Sequence, residues 1–168
     1  MIIKFEFKDI QFTLPGRNNI KEVITSILSG NRLKMNRLTY IFCKDRFLLR
    51  LNKQFLNHDT FTDVITFSFS DPILGEVGEV YISIDRVKEN AKTYEYSFLT
   101  ELSRVIFHGA LHLAGYNDKS QIEKVRMKKA EETALSLLVK VSSIHKVPRG
   151  TKTSLVKMNS STWNKTSH

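Results

Sequence analysis

Two histidines four residues apart, His108 and His112, carry the clearest chemical signal in the sequence, and Asp118 follows six residues later. Residues at i and i+4 of a helix lie on one face about one turn apart, so both imidazoles can reach the same cation. Gly115 suits the left-handed position that ends a helix, which lets the chain turn back toward the histidines. The spacing therefore predicts a three-ligand metal site with one position left open, as catalysis requires.

The residue types restrict the chemistry of such a site but leave the metal open. Gly109 stands where the H-E-x-x-H zinc peptidases have their glutamate general base, which argues against peptidase chemistry. Two histidines and a carboxylate are also the ligands of non-haem iron oxygenases. We expect one Zn2+ per chain, with iron, nickel and manganese as alternatives. The carboxylate cancels one unit of metal charge, so bound water should be less acidic than in a site of histidines alone.

The pattern of apolar residues predicts the elements that must position these side chains. Short apolar runs, some with strict alternation, predict four strands, over residues 2–8, 38–43, 63–69 and 78–84. Helical spacing of apolar residues predicts five helices, over residues 20–30, 46–56, 85–94, 97–115 and 120–138. We therefore expect an α+β fold: a single small domain with a mixed four-stranded sheet, and the metal site at the end of a helix in the C-terminal half.

Polar residues at the predicted helix starts are candidates for N-terminal caps. Asn18 or Asn19 precedes the first helix, and Asp85 precedes the third. The last helix has the most specific signal, since Ser120 and Glu123 form a capping box. In this motif the side chain of each residue accepts a hydrogen bond from the backbone N–H of the other.

Composition places the chain among ordinary globular proteins. It has 168 residues, of which 41% are hydrophobic and 26% charged, enough for one domain with a sizeable core. The single cysteine, Cys43, rules out an internal disulfide and fits a reducing, cytoplasmic compartment; we expect it to be buried in a strand. The N-terminus lacks the pattern of a secretory signal, and no apolar run approaches the roughly 20 residues that span a bilayer, so no membrane partner is expected.

The net charge of +9 suggests a polyanionic partner, but its distribution weakens that signal. Residues 141–168 contain five basic residues and no acid, which leaves 9 − 5 = +4 for residues 1–140. We expect a folded domain over residues 1–145 and a basic, flexible tail over residues 146–168. Solvated disorder, an RNA-contacting arm that uses Trp163 for stacking, and a non-native extension are the three interpretations of the tail.

The segment from His108 to Asp118 resembles H-G-x-L-H-L-x-G-Y-D-H, the signature of the YbeY family of metal-dependent endoribonucleases involved in rRNA maturation. Seven of its nine specified positions match, and glycine at position 109 belongs to the pattern. The two departures are Asn117, where the family usually has aspartate, and Asp118, where it has a third histidine.

Further blocks in the same order are similar to the same family. Leu51-Asn52, Asp59 and residues 62–67 (TDVITF) resemble its LN…D…TDVLSF block, and residues 78–83 resemble a following strand. Met127, with Glu131 or Glu132, resembles the M…E pattern of its last helix. The similarity covers about residues 1–140.

The resemblance implies a zinc-type site formed by His108, His112 and the residue at position 118, in a cleft beside the sheet. It implies a single-strand-specific endoribonuclease acting on the 3′ end of small-subunit rRNA and in ribosome quality control. The implied partners are rRNA and the small ribosomal subunit with its proteins, and no nucleotide cofactor is expected. A non-catalytic, metal-containing ribosome-assembly factor is the alternative, which Asp118 and the residue at position 56 favour.

Many members of the family carry an arginine, thought important for activity, at the position of Leu56. Arg50, Lys53 and His58 are the nearby candidates to replace its contact with RNA.

Two acids are candidates to orient the ligand side chains. Glu101 lies seven residues before His108, on the same helix face, where it can support a histidine or simply favour the helix dipole. Asp63 stands at a strand entrance, where an active-site role and a structural cap are equally expected. No general base is identified.

Overall fold

The computed structural model describes residues 1–31 and 34–146, without the side chains of residues 56 and 146. The elements in this part of the chain are β1 (Ile2–Phe7), α1 (Arg17–Gly30), β2 (Arg37–Cys43), α2 (Asp45–Leu56), β3 (Val64–Asp71), β4 (Gly75–Ser83), α3 (Ile84–Thr93), α4 (Phe98–Leu113) and α5 (Gln121–Lys146). The predicted α+β fold, with a four-stranded mixed sheet and five helices, is confirmed. The predicted tail lies outside the described residues, except for the last helical residue of α5.

The sheet has the strand order β1-β2-β4-β3. β1 pairs with β2 and β2 with β4 in parallel, so each of these pairs needs a crossover, and α1 provides the first. β3 and β4 form an antiparallel hairpin whose register runs to Asp71 opposite Gly75. Both strands are therefore longer at the turn than the sequence predicted. The Asp71 carboxylate closes the turn by accepting from the backbone N–H groups of Ile73 and Leu74, at 2.8 and 2.7 Å.

The helices cover the two faces of the sheet unequally. α1, α3, α4 and α5 share the main core on one face, whereas α2 covers a smaller cluster around Cys43, Leu48 and Ile65 on the other. Cys43 is fully buried, as predicted. α4 contacts α1, α3, α5, β3 and β4, so it is enclosed by the rest of the domain. The helix that carries both histidines is consequently held in place by packing on most of its surface.

Gly109 allows α4 to lie very close to the sheet. A Cβ atom built on Gly109 would lie 2.6 Å from Cγ1 of Val80 on β4 and 3.5 Å from Cγ2 of Val64 on β3. The first distance is far below a normal carbon–carbon contact of about 3.5–4.0 Å. The position therefore faces the sheet, and a glutamate there would have no path to the face of α4 that carries the histidines.

The predicted cap of α1 is wrong. α1 begins at Arg17 after Gly16, which adopts a left-handed conformation with φ 65°. Asn19 thus lies inside the first turn, and its side chain donates instead to the Ser142 hydroxyl of α5, at 3.0 Å. The hydrogen-bond partner of this amide thus lies on α5, which the sequence around Asn19 does not indicate.

The predicted cap of α3 is also wrong by two residues. The Ser83 hydroxyl accepts from the backbone N–H of Arg86, at 3.2 Å, so Ser83 is the cap. The Asp85 carboxylate accepts from the backbone N–H of Asp45, at 3.1 Å, and so stabilises the start of α2 instead.

α5 continues to Lys146, eight residues beyond the predicted end, although the sequence becomes polar near residue 140. Val141 is buried, and the bond from Asn19 to Ser142 ties the last turns to α1. Tertiary contacts therefore extend the helix where composition predicts its end. Within residues 1–31 and 34–146, each helix is too short or too polar to cross a membrane.

Candidate metal centre

His108 and His112 of α4 and Asp118 of the α4–α5 loop converge, as the sequence predicted. The Asp118 Oδ2 atom lies 3.6 Å from Nε2 of His108 and 3.7 Å from Nε2 of His112. The two imidazole centroids are 4.4 Å apart with their planes at 86°. Donor atoms bound about 2.0–2.1 Å from a tetrahedral zinc ion lie about 3.3 Å apart, so the three atoms are close to the spacing of a metal site.

The turn after α4 follows from Gly115. This glycine has φ 89°, a left-handed conformation that costs other residues about 1–2 kcal/mol. Its N–H donates to the His112 carbonyl at 2.9 Å, and the Tyr116 N–H donates to the Leu111 carbonyl at 3.0 Å. These two bonds form a Schellman motif. The chain therefore reverses at the end of α4 and carries Asp118 back to the histidines.

The same turn orients His112. The Tyr116 carbonyl oxygen lies 3.0 Å from Nδ1 of His112. A carbonyl only accepts, so Nδ1 carries the proton and the neutral ring has its lone pair on Nε2. Burial lowers the pKa of His112, and the neighbouring His108 lowers it further, whereas the Asp118 carboxylate opposes both effects. The ring is therefore held in the neutral form with Nε2 available as a ligand atom.

His108 is oriented by a carboxylate from the next helix. Its Nδ1 lies 2.5 Å from Oε1 of Glu131 on α5. This contact occupies Nδ1, so Nε2 is the nitrogen that faces Asp118. The candidate donor set is thus two imidazole nitrogens and one carboxylate oxygen, which suits zinc and related divalent transition metals.

A buried ion-pair network holds Glu131. Nη1 of Arg104 lies 3.3 Å from Glu131 Oε2, and the same guanidinium donates to both oxygens of Glu101, at 2.8 and 2.6 Å. Glu101 is fully buried, and its hydrogen bonds to Arg104 raise the pKa of the guanidinium. Asp63 Oδ2 lies 3.7 Å from Arg104 and accepts from the Asn90 amide at 3.2 Å.

The two predicted supporting acids therefore act at a distance from the histidines. Both Glu101 oxygens accept from Arg104, so among the described residues the hydrogen bonds connect Glu101 to His108 through Arg104 and Glu131. Asp63 immediately precedes β3, and its backbone carbonyl accepts from the Ser83 N–H at 2.9 Å. Sequence reasoning missed Arg104. It lies four residues before His108 and three after Glu101, a spacing that marks all three residues as neighbours on one helix face.

A polar cleft of about 380 Å³ opens beside His112. Its lining comes from α2, the segment that follows α2 and the first residues of β3: Asn52, His58, Thr60, Phe61, Thr62, Val64, Ile65 and Thr66. The buried Asn52 side chain donates to the Thr60 carbonyl at 2.7 Å, which holds that wall of the cleft against α2.

Of the three predicted RNA contacts, His58 lines this cleft together with His112. Lys53 pairs with Asp59 at 2.7 Å, and the Arg50 guanidinium lies 5.6 Å from the centroid of the Phe47 ring. Neither basic side chain belongs to the lining of the cleft. The side chain at the position of the family arginine, Leu56, lies outside the described part of the molecule.

Comparison with known proteins identifies the family. The family model described as Endoribonuclease YbeY matches residues 3–139. A relative from Amoebophilus asiaticus, named Endoribonuclease YbeY, is 41% identical over 143 residues, which is 85% of this chain and 97% of that protein. A relative of the same name from Cytophaga hutchinsonii is 44% identical over 135 residues, which is 79% of this chain and 94% of that protein.

A solution structure of a Thermotoga maritima protein has a similar fold. The TM-score is 0.53 at 21% sequence identity, and the match covers 90% of this chain and 100% of the other. The family model and the sequence relatives each span most of the chain, and together with the converging ligands they show that the chain belongs to the YbeY endoribonuclease family.

Proposed function

We propose that this protein is a metal-dependent endoribonuclease that cuts single-stranded RNA. We further propose that it acts in the cytoplasm on the 3′ end of small-subunit rRNA and in ribosome quality control. The observation that carries the proposal is the convergence of His108, His112 and Asp118 at the edge of a polar cleft. Each histidine has an oxygen within hydrogen-bond distance of Nδ1 and its Nε2 near Asp118, which is the arrangement that a metal ligand needs.

The proposed metal is zinc, since two nitrogens and one oxygen fill three positions of its tetrahedral site and leave the fourth open. When bound, zinc polarises a phosphoryl oxygen and promotes ionisation of a water molecule. The chain itself contributes the positions of the donors: α4 fixes the two imidazoles, and the turn at Gly115 brings the carboxylate to them.

The cleft supports RNA as the substrate. His58 lies in the same cleft as His112 and can contact a phosphate or move a proton there. Phe61 is 53% exposed at the cleft, with the Arg86 guanidinium 5.0 Å from its ring centroid. An exposed ring is a stacking surface for a base, which an unpaired base reaches more readily than a base in a helix. The net charge over residues 1–140, 9 − 5 = +4, also attracts the phosphate backbone.

A direct test combines metal analysis with an RNA cleavage assay. We expect His112→Ala to lose the bound metal and to abolish cleavage of a single-stranded fragment ending in the 3′ region of small-subunit rRNA. His145→Ala is the matched control, because His145 lies on α5 and contacts Asn19 at 2.6 Å, in a different cavity. It should retain metal and activity. Full cleavage by metal-free His112→Ala protein would refute the mechanism.

A non-catalytic ribosome-assembly factor is the second candidate. It is favoured by Asp118, which replaces the family's third histidine with a ligand that neutralises metal charge. Protein that contains stoichiometric metal and co-sediments with small subunits, but leaves single-stranded rRNA intact, would establish this alternative. Gain of cleavage in Asp118→His would then identify the carboxylate as the cause.

A further inference from the structure

We propose that Glu131, held by Arg104, is a positioning residue that fixes His108 with Nε2 directed into the metal site. The inference rests on metal binding by His108, His112 and Asp118, as in the proposed function. It adds two residues that are neither candidate metal ligands nor lining residues of the cleft. Their side chains come from different helices, α4 and α5, so the packing of these helices determines how one ligand is oriented.

The contact between Glu131 and His108 is short and shielded from water. Oε1 of Glu131 lies 2.5 Å from Nδ1 of His108, and the two side chains are 8% and 16% exposed. A charge-assisted hydrogen bond in such surroundings is stronger than one at the surface. It fixes both the rotation of the imidazole and the nitrogen that carries the proton.

His112 has a different support. Its Nδ1 donates to the Tyr116 carbonyl, which belongs to the turn after α4 and is present whatever side chain occupies position 116. The two ligands of α4 are therefore oriented independently, one by local backbone and one by a side chain from 23 residues further along the chain. Only the His108 support can be removed by substitution of a single side chain.

The position of Glu131 requires a carboxylate rather than an amide. Glu131 accepts from His108 with Oε1 and pairs with Arg104 through Oε2 at 3.3 Å. Glutamine has one acceptor oxygen and one donor nitrogen. In Glu131→Gln, the NH2 group must face either Arg104, where two donors oppose each other, or Nδ1 of His108. In the second case the ring proton moves to Nε2, where it blocks the ligand atom.

The charges around Arg104 also favour a cation at the site. Glu101, Glu131 and Asp63 surround this one guanidinium, within 2.6, 3.3 and 3.7 Å. Three carboxylates against one arginine leave two negative charges, and Asp118 adds a third. Because the side chains of Arg104 and its three carboxylate partners are at most 25% exposed, their field at the histidine pair is weakly screened.

The first test compares zinc affinities by competition with a chromophoric chelator. Supporting residues of this kind typically contribute 10–100-fold to metal affinity, so we expect Glu131→Gln to bind zinc about 10–100-fold more weakly. Glu132→Gln is the matched control, since it removes the same charge from the next residue of α5, whose side chain is exposed. Its affinity should equal that of the wild type. Equal affinities of Glu131→Gln and the wild type would overturn the inference.

The second test needs no metal. The 15N shifts of the imidazole of His108 report its tautomer in metal-free protein at about pH 8, where an ordinary histidine is neutral. We expect the Nδ1–H tautomer in the wild type and in Glu132→Gln, and a substantial Nε2–H population in Glu131→Gln. The Nε2–H tautomer in the wild type would refute the inference. Failure of the wild type to bind zinc would instead refute the proposed function, while the tautomer still decides this inference.

Discussion

Because α4 packs closely on the sheet, whether Gly109→Ala destabilises or stabilises the protein should depend on the side chain of Val80. In Gly109→Ala, the new methyl group lies 2.6 Å from Cγ1 of Val80, about 1 Å short of a normal carbon contact. Overpacking of this kind costs about 1–3 kcal/mol. Alanine in a helix interior is about 1 kcal/mol more favourable than glycine. We therefore expect a net loss of about 1 kcal/mol in the free energy of unfolding.

Truncation of Val80 should reverse this effect. Val80→Ala removes Cγ1 and leaves Cγ2 of Val64, at 3.5 Å, as an ordinary contact for the new methyl group. Introducing Gly109→Ala into the Val80→Ala background should therefore stabilise the protein by about 1 kcal/mol, because helix propensity then acts without a clash. The expected coupling between the two substitutions is about 2 kcal/mol, well above the additivity error of about 0.3–0.5 kcal/mol.

Urea unfolding of the four proteins in excess chelator measures this cycle without a contribution from bound metal. Stabilisation by Gly109→Ala in both backgrounds, with no coupling to Val80, would refute the close approach of α4 to β4. It would also mean that close packing against Val80 does not explain the glycine at position 109.

Two further predictions concern Gly115 and Cys43. Gly115→Ala should lower the free energy of unfolding by about 1–2 kcal/mol, because φ is 89° at this position. It should also weaken zinc binding, because the turn at Gly115 positions Asp118. Unchanged zinc affinity would contradict this role of the turn. Burial raises the pKa of Cys43 to about 12 from 9.0, so the folded thiol should resist a disulfide reagent at pH 9. The free energy of unfolding should also fall as pH rises from 9.0 toward 12, because the thiol of the unfolded chain ionises first. Native protein that reacts as fast as urea-unfolded protein would contradict this burial.

The limits of sequence reasoning appear most clearly at the helix starts and ends. Asn19 and Asp85 are suitable caps by residue type, yet each bonds to another element, Ser142 of α5 and the backbone of Asp45. α5 passes the predicted end because Val141 is buried. Propensity describes a helix in isolation, and these three positions depend on which helices pack together.

The RNA-contact candidates show the same limit. Arg50, Lys53 and His58 are neighbours in sequence, but only His58 lines the cleft with His112, whereas Lys53 pairs with Asp59. α2 and the segment after it point these side chains in different directions, and charge alone carries no information about direction.

The sequence by itself determined the convergence of the candidate metal ligands, because their geometry is local. Two histidines at i and i+4, a glycine that ends the helix and an aspartate three residues beyond it require no distant contact to converge. Only the tertiary structure decided how the ligands are supported. Glu131 reaches His108 from another helix, and Arg104 links Glu131 to Glu101, because α4 and α5 pack side by side. Short-range spacing follows from helix geometry, whereas partners 23 residues apart follow from the packing of the whole domain.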